Sequence, residues 1–269
     1  MTTTTQETAS ILREPAEDYH GKAKDYLSSH QLADFRRAPM LYHRKKLGLI
    51  PDADHPAYLI GRAAHTLILE GKEKFNEEYA VGGPVNEKTG KPYGKDTKAF
   101  AAWAEEQSKA VLTQGQFDLI RNMAIGVALH DRASEILSTG IAEGVVRANY
   151  CDVPCQIRMD WFSPHGGLAD LKTCDNLTWF EADARRWQYA HQMAFYRAVL
   201  AVAIGTVVPV HLIAVEKKEP FRCGVWRTSE DVLAAAQKEN EAAMRRLKRC
   251  QETDTWPSGY EEPRVFDYI

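Results

Sequence analysis

One segment, residues 155–173, constrains the fold more than any other because it has the pattern of a β-hairpin. Its first half is rich in apolar and aromatic residues, and residues 163–167 are typical of a turn. Residues 168–172 suit a short return strand. The sequence therefore predicts two antiparallel strands joined by a turn that centres on His165.

Three charged residues of this hairpin are predicted to share one face. With the turn centred on His165, Asp160 and Asp170 lie opposite each other, and side-chain alternation puts Lys172 beside Asp170. Two such close carboxylates repel each other unless a cation lies between them. The pattern predicts a divalent metal site with a lysine beside it. A solvated strand face is the competing interpretation, and the apolar neighbours of Asp160 count against it.

Composition sets only broad limits on function. The 269 residues carry a formal charge of −3, which neither indicates nor excludes nucleic-acid binding, because acidic metal ligands offset a local basic patch. No apolar run has the length of a membrane span, and the first residues lack an apolar signal region, so a cytoplasmic location is expected. The five cysteines include no Cys-x-x-Cys pair, which predicts reduced thiols and no iron–sulfur cluster.

The pattern along the chain predicts an α/β fold with a mixed central sheet of about five strands flanked by helices. Residues 1–26 are predicted to be a flexible arm, and residues 27–269 a single domain. Strands are predicted near 144–150, 155–162, 168–173, 207–217 and 221–227. Helices are predicted near 27–39, 56–70, 97–113, 116–138, 179–205 and 229–252.

Several polar residues outside the hairpin are candidates for the same site, each with an alternative. His65 lies on an apolar helix, so it is either a satisfied core residue or a ligand if that helix docks beside the hairpin. Glu143, at the start of a strand, is either a third carboxylate or a surface acid. Tyr189, Gln192 and Tyr196 share one helix face, which either borders the core or supports a metal site or a nucleotide.

The densest basic cluster lies between residues 36 and 46 and contains no acid. It is either a solvated helix end or a contact for phosphate. Ser28 or Ser29 can cap the preceding helix, whose N-terminus and hydroxyl groups would add hydrogen-bond donors for a phosphate.

Glu143, Asp160 and the run Asp170-Leu171-Lys172, followed by a helix, resemble the PD-(D/E)xK nuclease superfamily. Within it, the chain is similar to phage-type exonucleases typified by exonuclease VIII (RecE-like), and more distantly to lambda exonuclease and RecB-like nucleases. The resemblance extends over most of residues 27–200, through segments 28–39, 61–70, 158–173 and 189–196. Met159 departs from the proline common in the superfamily, at a position that is structural.

This resemblance implies a restriction-endonuclease-like core and a role for each candidate residue. Mg²⁺, for which Mn²⁺ can substitute, would be held by His65, Asp160, Asp170 and the carbonyl of Leu171, with Glu143 as a further candidate ligand. The catalytic residues would be Lys172, Asp160, Asp170, Gln192 and Tyr196. DNA contacts are assigned to Ser28, Ser29, Arg36, Arg37, Arg158 and Arg185.

The implied function is 5′ to 3′ digestion of linear double-stranded DNA, which leaves 3′ single-stranded tails for recombination by strand annealing. The implied partners are duplex ends, a single-strand annealing protein and further copies of the chain in a homo-oligomeric ring, in a bacterial or phage-encoded cytoplasmic system. One alternative is a RecB/Cas4-like single-strand nuclease, although cluster-bearing members need a cysteine earlier than Cys151. The others are a non-catalytic DNA-end-binding module and an unrelated protein with surface acids.

Overall fold

The structure is a computed structural model that describes residues 11–51 and 56–267. Its helices are α1 (Ala16–Gly21), α2 (Ser29–Arg37), α3 (Pro39–Lys46), α4 (Pro56–His65), α5 (Gly71–Glu78), α6 (Lys98–Glu105), α7 (Gln114–Ala128), α8 (Asp131–Ile136), α9 (Phe180–Arg186), α10 (Tyr189–Ile204) and α11 (Glu230–Thr253). Its strands are β1 (Tyr79–Val81), β2 (Ala110–Leu112), β3 (Ile141–Tyr150), β4 (Val153–Ser163), β5 (Gly167–Cys174), β6 (Val210–Glu216) and β7 (Cys223–Arg227).

The central sheet has five strands in the order β3-β4-β5-β6-β7. Only β5 and β6 are parallel, and α9 and α10 provide the crossover between them. The predicted mixed sheet of about five strands is therefore confirmed. A separate parallel pair, β1 and β2, was not predicted, because strands of three residues are too short to show an alternating pattern.

Helices cover both faces of the central sheet. On β6, Leu212 and Ala214 belong to a core shared with α2, α10 and α11, whereas Ile213 and Val215 belong to a second core shared with α4 and α7. This alternation is the reason that every residue of β6 is buried: a strand covered on both faces has no solvent side. Among the described residues, no helix is long and apolar enough to cross a lipid bilayer.

The predicted hairpin forms with its turn centred on His165. Trp161 pairs with Ala169, and Ser163 pairs with Gly167. The Ser163 hydroxyl accepts hydrogen bonds from the backbone N–H groups of the turn, which fixes the register.

Gly167 closes this turn with a φ of 80°, a conformation that side chains other than glycine's rarely adopt. A Cβ atom there would also overlap the carbonyl oxygen of Pro209. Gly167→Ala is therefore expected to lower the free energy of unfolding by about 1–3 kcal/mol in urea titrations. Gly166→Ala is the matched control, because its Cβ would meet only Ser163 at 3.4 Å or more. Equal stability of the two variants would contradict this account of the turn.

The predicted flexible arm is wrong for the part of it that the structure describes. Leu12 exchanges two backbone hydrogen bonds with Val145, and Glu14 pairs with Arg147 on the same strand. Tyr19 is buried. The segment carries too few apolar residues to show a pattern of its own, and its order comes from pairing with β3. Residues 1–10 lie outside the described part of the chain.

Four predicted helices are interrupted or shortened. The helix expected over 116–138 divides into α7 and α8, and the helix expected over 97–113 ends at Glu105, with β2 at Ala110–Leu112. The helix expected over 179–205 breaks after α9, where Gln188 takes a left-handed conformation with φ 58°. The helix expected over 56–70 leaves α-geometry after His65 and continues as a π-turn, Thr66–Glu70. Pro39 ends a helix as predicted, because α2 stops at Arg37 and Ala38 before the proline is extended. Pro39 also starts α3, because proline suits the first helical position.

Candidate metal centre

The candidate site lies where β4 and β5 separate. After the pair Trp161–Ala169 the backbone ladder stops, and the side chain of Asp160 takes its place: Oδ2 accepts a hydrogen bond from the Leu171 N–H at 2.8 Å. The same oxygen lies 3.5 Å from Nδ1 of His65, the last residue of α4. Asp160 thus joins the two strands and the helix at one point.

On both β3 and β4, the side chains that face one side of the sheet before this point are followed by side chains an even number of positions on that face the other side. Met159 packs on the core shared with α10, but Trp161 packs on the opposite core with α4 and α7, although the two are an even number apart. On β3, Glu143 lies between the pairs Ala142–Trp161 and Gly144–Met159 and has a φ of 54°. The positive φ of Glu143 and the missing pair between Glu143 and Asp160 interrupt the regular alternation of side chains here.

Glu143 belongs to this cluster, which favours the third-carboxylate alternative over a surface acid. Ligand atoms of His65, Glu143 and Asp160 lie within 4.8 Å of one another, and all three residues are half-buried. Arg158 donates from Nε to Glu143 Oε2 at 2.6 Å. Burial, and then the charge of Asp160, outweigh this arginine and raise the pKa of Glu143 to about 8. A bound cation would favour the ionised carboxylate and so oppose this rise in the pKa of Glu143.

Asp170 and Lys172 form a buried ion pair beside the cluster. They share one face of β5, as predicted, and Lys172 Nζ lies 2.6 Å from Asp170 Oδ2. Apart from this ion pair, neither oxygen of Asp170 has a hydrogen-bond partner among the described residues. Burial raises the pKa of Asp170 to about 6, against the opposing charge of Lys172. Asp170 is 1% exposed, so the solvated-face interpretation is wrong for it.

The ammonium group of Lys172 is held from several sides. It donates to Gln192 Oε1 at 3.2 Å and lies 4.7 Å from the ring centre of Tyr189. Gln192 in turn donates to the hydroxyl of the buried Tyr196 at 3.5 Å. Burial alone would lower the pKa of Lys172, but the carboxylates of Asp170 and Asp160 outweigh it and raise that pKa. The predicted polar face of α10 therefore contacts the lysine.

Sequence reasoning missed Glu70 as part of these surroundings. Burial and the charge of Glu78 raise the pKa of Glu70, and its own charge raises that of Glu143, so the two acids are close. In a regular α-helix, residues five apart such as His65 and Glu70 face different directions, and the π-turn after His65 changes that geometry.

The hydrogen bond between Leu171 and Asp160 involves the backbone N–H of Leu171. The role of the Leu171 carbonyl as a metal ligand therefore stays a prediction.

The residues assigned to DNA contact have different surroundings in the structure. Ser28 caps α2 by accepting from the Gln31 N–H, so its hydroxyl serves the fold. The Ser29 hydroxyl is buried without a hydrogen-bond partner among the described residues, so it does not form an open phosphate site. Arg158 is engaged by Glu143. Arg37 and Arg185 are exposed, and their DNA contacts stay predictions.

Arg36 was predicted to contact phosphate as part of a basic patch, but the structure shows its guanidinium engaged within the fold. Its guanidinium donates to Asn240 on α11 and to Gln188 at the break between α9 and α10. Asn240 is buried and donates in turn to the carbonyl of His191. The residue therefore ties three helices together. Sequence spacing could not show this, because the partners lie 152 and 204 positions away.

Arg36 is engaged within the fold whereas Arg37 beside it is exposed, and this difference gives a prediction. Arg36→Gln is expected to lower the free energy of unfolding by about 1–3 kcal/mol, because a buried amide and the left-handed Gln188 lose their donor. Arg37→Gln is expected to change stability by less than about 0.5 kcal/mol and to reduce the salt slope of DNA binding by about one. Urea titration and DNA affinity against salt concentration measure both. An Arg36→Gln protein of unchanged stability would contradict the structural role.

Comparison with known proteins supports the fold. The sequence matches the PDDEXK-like domain of unknown function DUF3799 over residues 28–266, and the chain belongs to this family. A solved structure from Eubacterium rectale, of a protein described as a "putative exonuclease", has a TM-score of 0.66 and 17% identity over 96% of each chain. At this identity the likeness shows a shared fold. No curated protein matches the sequence. The predicted PD-(D/E)xK resemblance and restriction-endonuclease-like fold are confirmed.

Proposed function

We propose that the protein is a divalent-metal-dependent nuclease that digests linear double-stranded DNA from its ends. One observation carries the proposal. Where β4 and β5 separate, the cluster of His65, Glu143 and Asp160 lies beside the buried ion pair of Asp170 and Lys172. Membership of the PDDEXK-like family and the likeness to the E. rectale protein described as a "putative exonuclease" support it.

The residues present fit a divalent cation. Hard cations take carboxylate oxygens, and oxygens of Glu143 and Asp160 lie close together here. Beside them Asp170 is buried, and among the described residues its carboxylate has Lys172 as its only partner. Asp160 would hold the ion, with His65, Glu143, Asp170 and the Leu171 carbonyl as further candidate ligands. When bound, Mg²⁺, or Mn²⁺ in its place, would lower the pKa of a coordinated water and offset charge on the phosphodiester.

Lys172 would act as a hydrogen-bond donor and a positive charge. In the metal-free protein the carboxylates of Asp170 and Asp160 raise the pKa of Lys172 against the effect of burial, and its ammonium can orient a water molecule or a phosphate oxygen. Asp170, Gln192 and the Tyr189 ring hold the ammonium on separate sides, which limits its rotation. A donor held in place before the reaction stabilises developing negative charge at little reorganisation cost.

Gln192 and Tyr196 would orient the lysine. The Gln192 amide is fixed by the Tyr196 hydroxyl, which directs its oxygen towards Lys172. The first turn of α10, which carries Tyr189, begins after Gln188, whose side chain accepts from Arg36. The position of the lysine thus depends on the junction between α9 and α10.

The direction of digestion and its biological use rest on the resemblance to phage-type exonucleases. We propose digestion from 5′ ends that leaves 3′ single-stranded tails for recombination by strand annealing. A ring of identical chains around the duplex and a single-strand annealing partner belong to the same proposal.

Digestion of end-labelled DNA tests this function. Linear duplexes labelled at either the 5′ or the 3′ ends are incubated with the protein and Mg²⁺, beside circular duplex and single-stranded DNA. Early release of the 5′ label from linear duplex alone is expected. Early release of the 3′ label would reverse the proposed direction, and cutting of circles would indicate an endonuclease. No release from any DNA with Mg²⁺ or Mn²⁺ would contradict the nuclease.

A further inference from the structure

The chain leaves the candidate active site at Lys172 and returns to it at Tyr189. Between these residues it completes β5, makes a short turn over Leu177–Trp179 and forms α9. The return is close, because the Tyr189 ring centre lies 4.7 Å from Lys172 Nζ. The helix α9 and its two ends therefore lie beside the site.

The inner side of α9 is firmly packed. Phe180 is buried, with its ring 4.4 Å from that of Trp226 on β7 and 6.2 Å from that of Tyr189. The Trp226 indole N–H donates to Glu181 at 3.2 Å. These contacts hold the helix against the sheet, so its outer groups have fixed positions.

The outer side of α9 presents a tryptophan at each end. Trp179 is 64% exposed and Trp187 is 60% exposed. Such exposure of the largest apolar side chain forgoes much burial energy, and tryptophan on a surface commonly marks a binding site. Trp187 follows Trp179 by eight positions, which corresponds to about 12 Å along a helix axis and leaves room for a separate base on each.

Two exposed arginines accompany the tryptophans. Arg185 and Arg186 lie in the last turn of α9, and the Arg186 guanidinium lies 4.9 Å from the ring centre of Trp187. Of the acids on the same helix, Glu181 is engaged by Trp226 and Asp183 is half-buried near Tyr189. The two exposed side chains that precede Trp187 in the last turn of α9 are therefore both positive.

We infer that Trp179, Arg185, Arg186 and Trp187, the α9 platform, bind single-stranded DNA next to the active site. Unpaired bases expose their faces for stacking on aromatic side chains, and arginines contact the phosphates between them, whereas a duplex hides those faces. A strand held at Lys172 has to continue across a neighbouring surface, and the platform is that surface on the α9 side. The inference rests on the proposed nuclease function for its choice of ligand.

Binding in the absence of metal tests the platform, because no DNA is cut. Fluorescence anisotropy of a labelled oligo(dT) of about 20 nucleotides is measured with chelator present, beside a blunt duplex of the same length. Trp179→Ala and Trp187→Ala are each expected to weaken oligo(dT) binding about tenfold, and Trp187→Phe to retain most of it. Duplex binding is expected to change less than threefold. Quenching of tryptophan fluorescence by oligo(dT) is expected to fall with each variant.

Tyr260→Ala is the matched control, because Tyr260 is also exposed and has Arg264 4.2 Å from its ring centre, but lies on the C-terminal segment. Unchanged melting temperatures show that the variants fold. Equal oligo(dT) affinity of wild type and both tryptophan variants would overturn the platform, as would no binding by the wild type. A change of molecular mass in the variants with unchanged affinity would also overturn it, in favour of a contact between copies. Because metal is absent, failure of the nuclease in the digestion assay does not affect this result.

Discussion

Lys172→Ala is expected to lower the rate of Mg²⁺-dependent digestion of linear duplex DNA at least about 10³-fold. The lysine is the only cation among the described residues that forms an ion pair with Asp170, and its ammonium is held by Gln192 and Tyr189. An alanine leaves no donor to orient water or phosphate at this position. Asp160→Ala and Asp170→Ala are expected to have a similar effect, because each removes a candidate ligand.

The measurement is single-turnover digestion with protein in excess, with a melting curve for each variant. Lys217→Ala is the matched control, because Lys217 follows the neighbouring strand β6 and pairs with Asp175 at 3.0 Å outside the site. That variant is expected to retain full activity. A Lys172→Ala protein that digests DNA within about tenfold of the wild-type rate would remove the lysine from the proposed chemistry.

Glu143→Gln is expected to stabilise the metal-free protein at alkaline pH by on the order of 3 kcal/mol. The pKa of Glu143 is raised to about 8, first by burial and then by Asp160. The folded carboxyl therefore binds its proton more tightly than the unfolded chain does. Its contribution to stability is complete below the unfolded pKa of about 4.5 and is lost as the pH rises through about 8. Glutamine cannot ionise and keeps an acceptor for Arg158.

Urea titrations between about pH 6.5 and pH 8.5 isolate this group. His20 and His211, whose pKa values burial lowers, act mainly below that window, and the cysteines, whose pKa values burial raises, act above it. The metal-free wild type is expected to lose up to about 1.4 kcal/mol per pH unit, and Glu143→Gln much less. Added Mn²⁺ is expected to raise the melting temperature of the wild type more than that of the variant. Parallel pH profiles for the two proteins would contradict the account.

The sequence predicts the centre of the site well because its geometry is local. Asp160 and Asp170 are equally spaced about His165, so a single assumption about the turn puts them opposite each other. The period of two then puts Lys172 beside Asp170, and the structure has both features. The Asp160 side chain replaces the backbone ladder at that point, which strand alternation alone does not predict.

The remaining differences come from contacts between distant parts of the chain. Arg36 was assigned to phosphate, but its partners Gln188 and Asn240 are visible only once the helices pack. The left-handed Gln188 then breaks a helix that has an uninterrupted helical pattern in the sequence. Glu143 was left open between two roles because its position depends on a positive φ, for which a glutamate gives no sequence signal.

Anomalous X-ray diffraction from crystals that contain Mn²⁺ tests the central claim most directly. The account predicts an anomalous peak in contact with the carboxylate of Asp160, with further ligands from among His65, Glu143 and Asp170, and loss of that peak in an Asp160→Asn protein. An active protein whose Mn²⁺ peak lies away from these residues, or that shows no peak there at a Mn²⁺ concentration that supports digestion, would contradict the account.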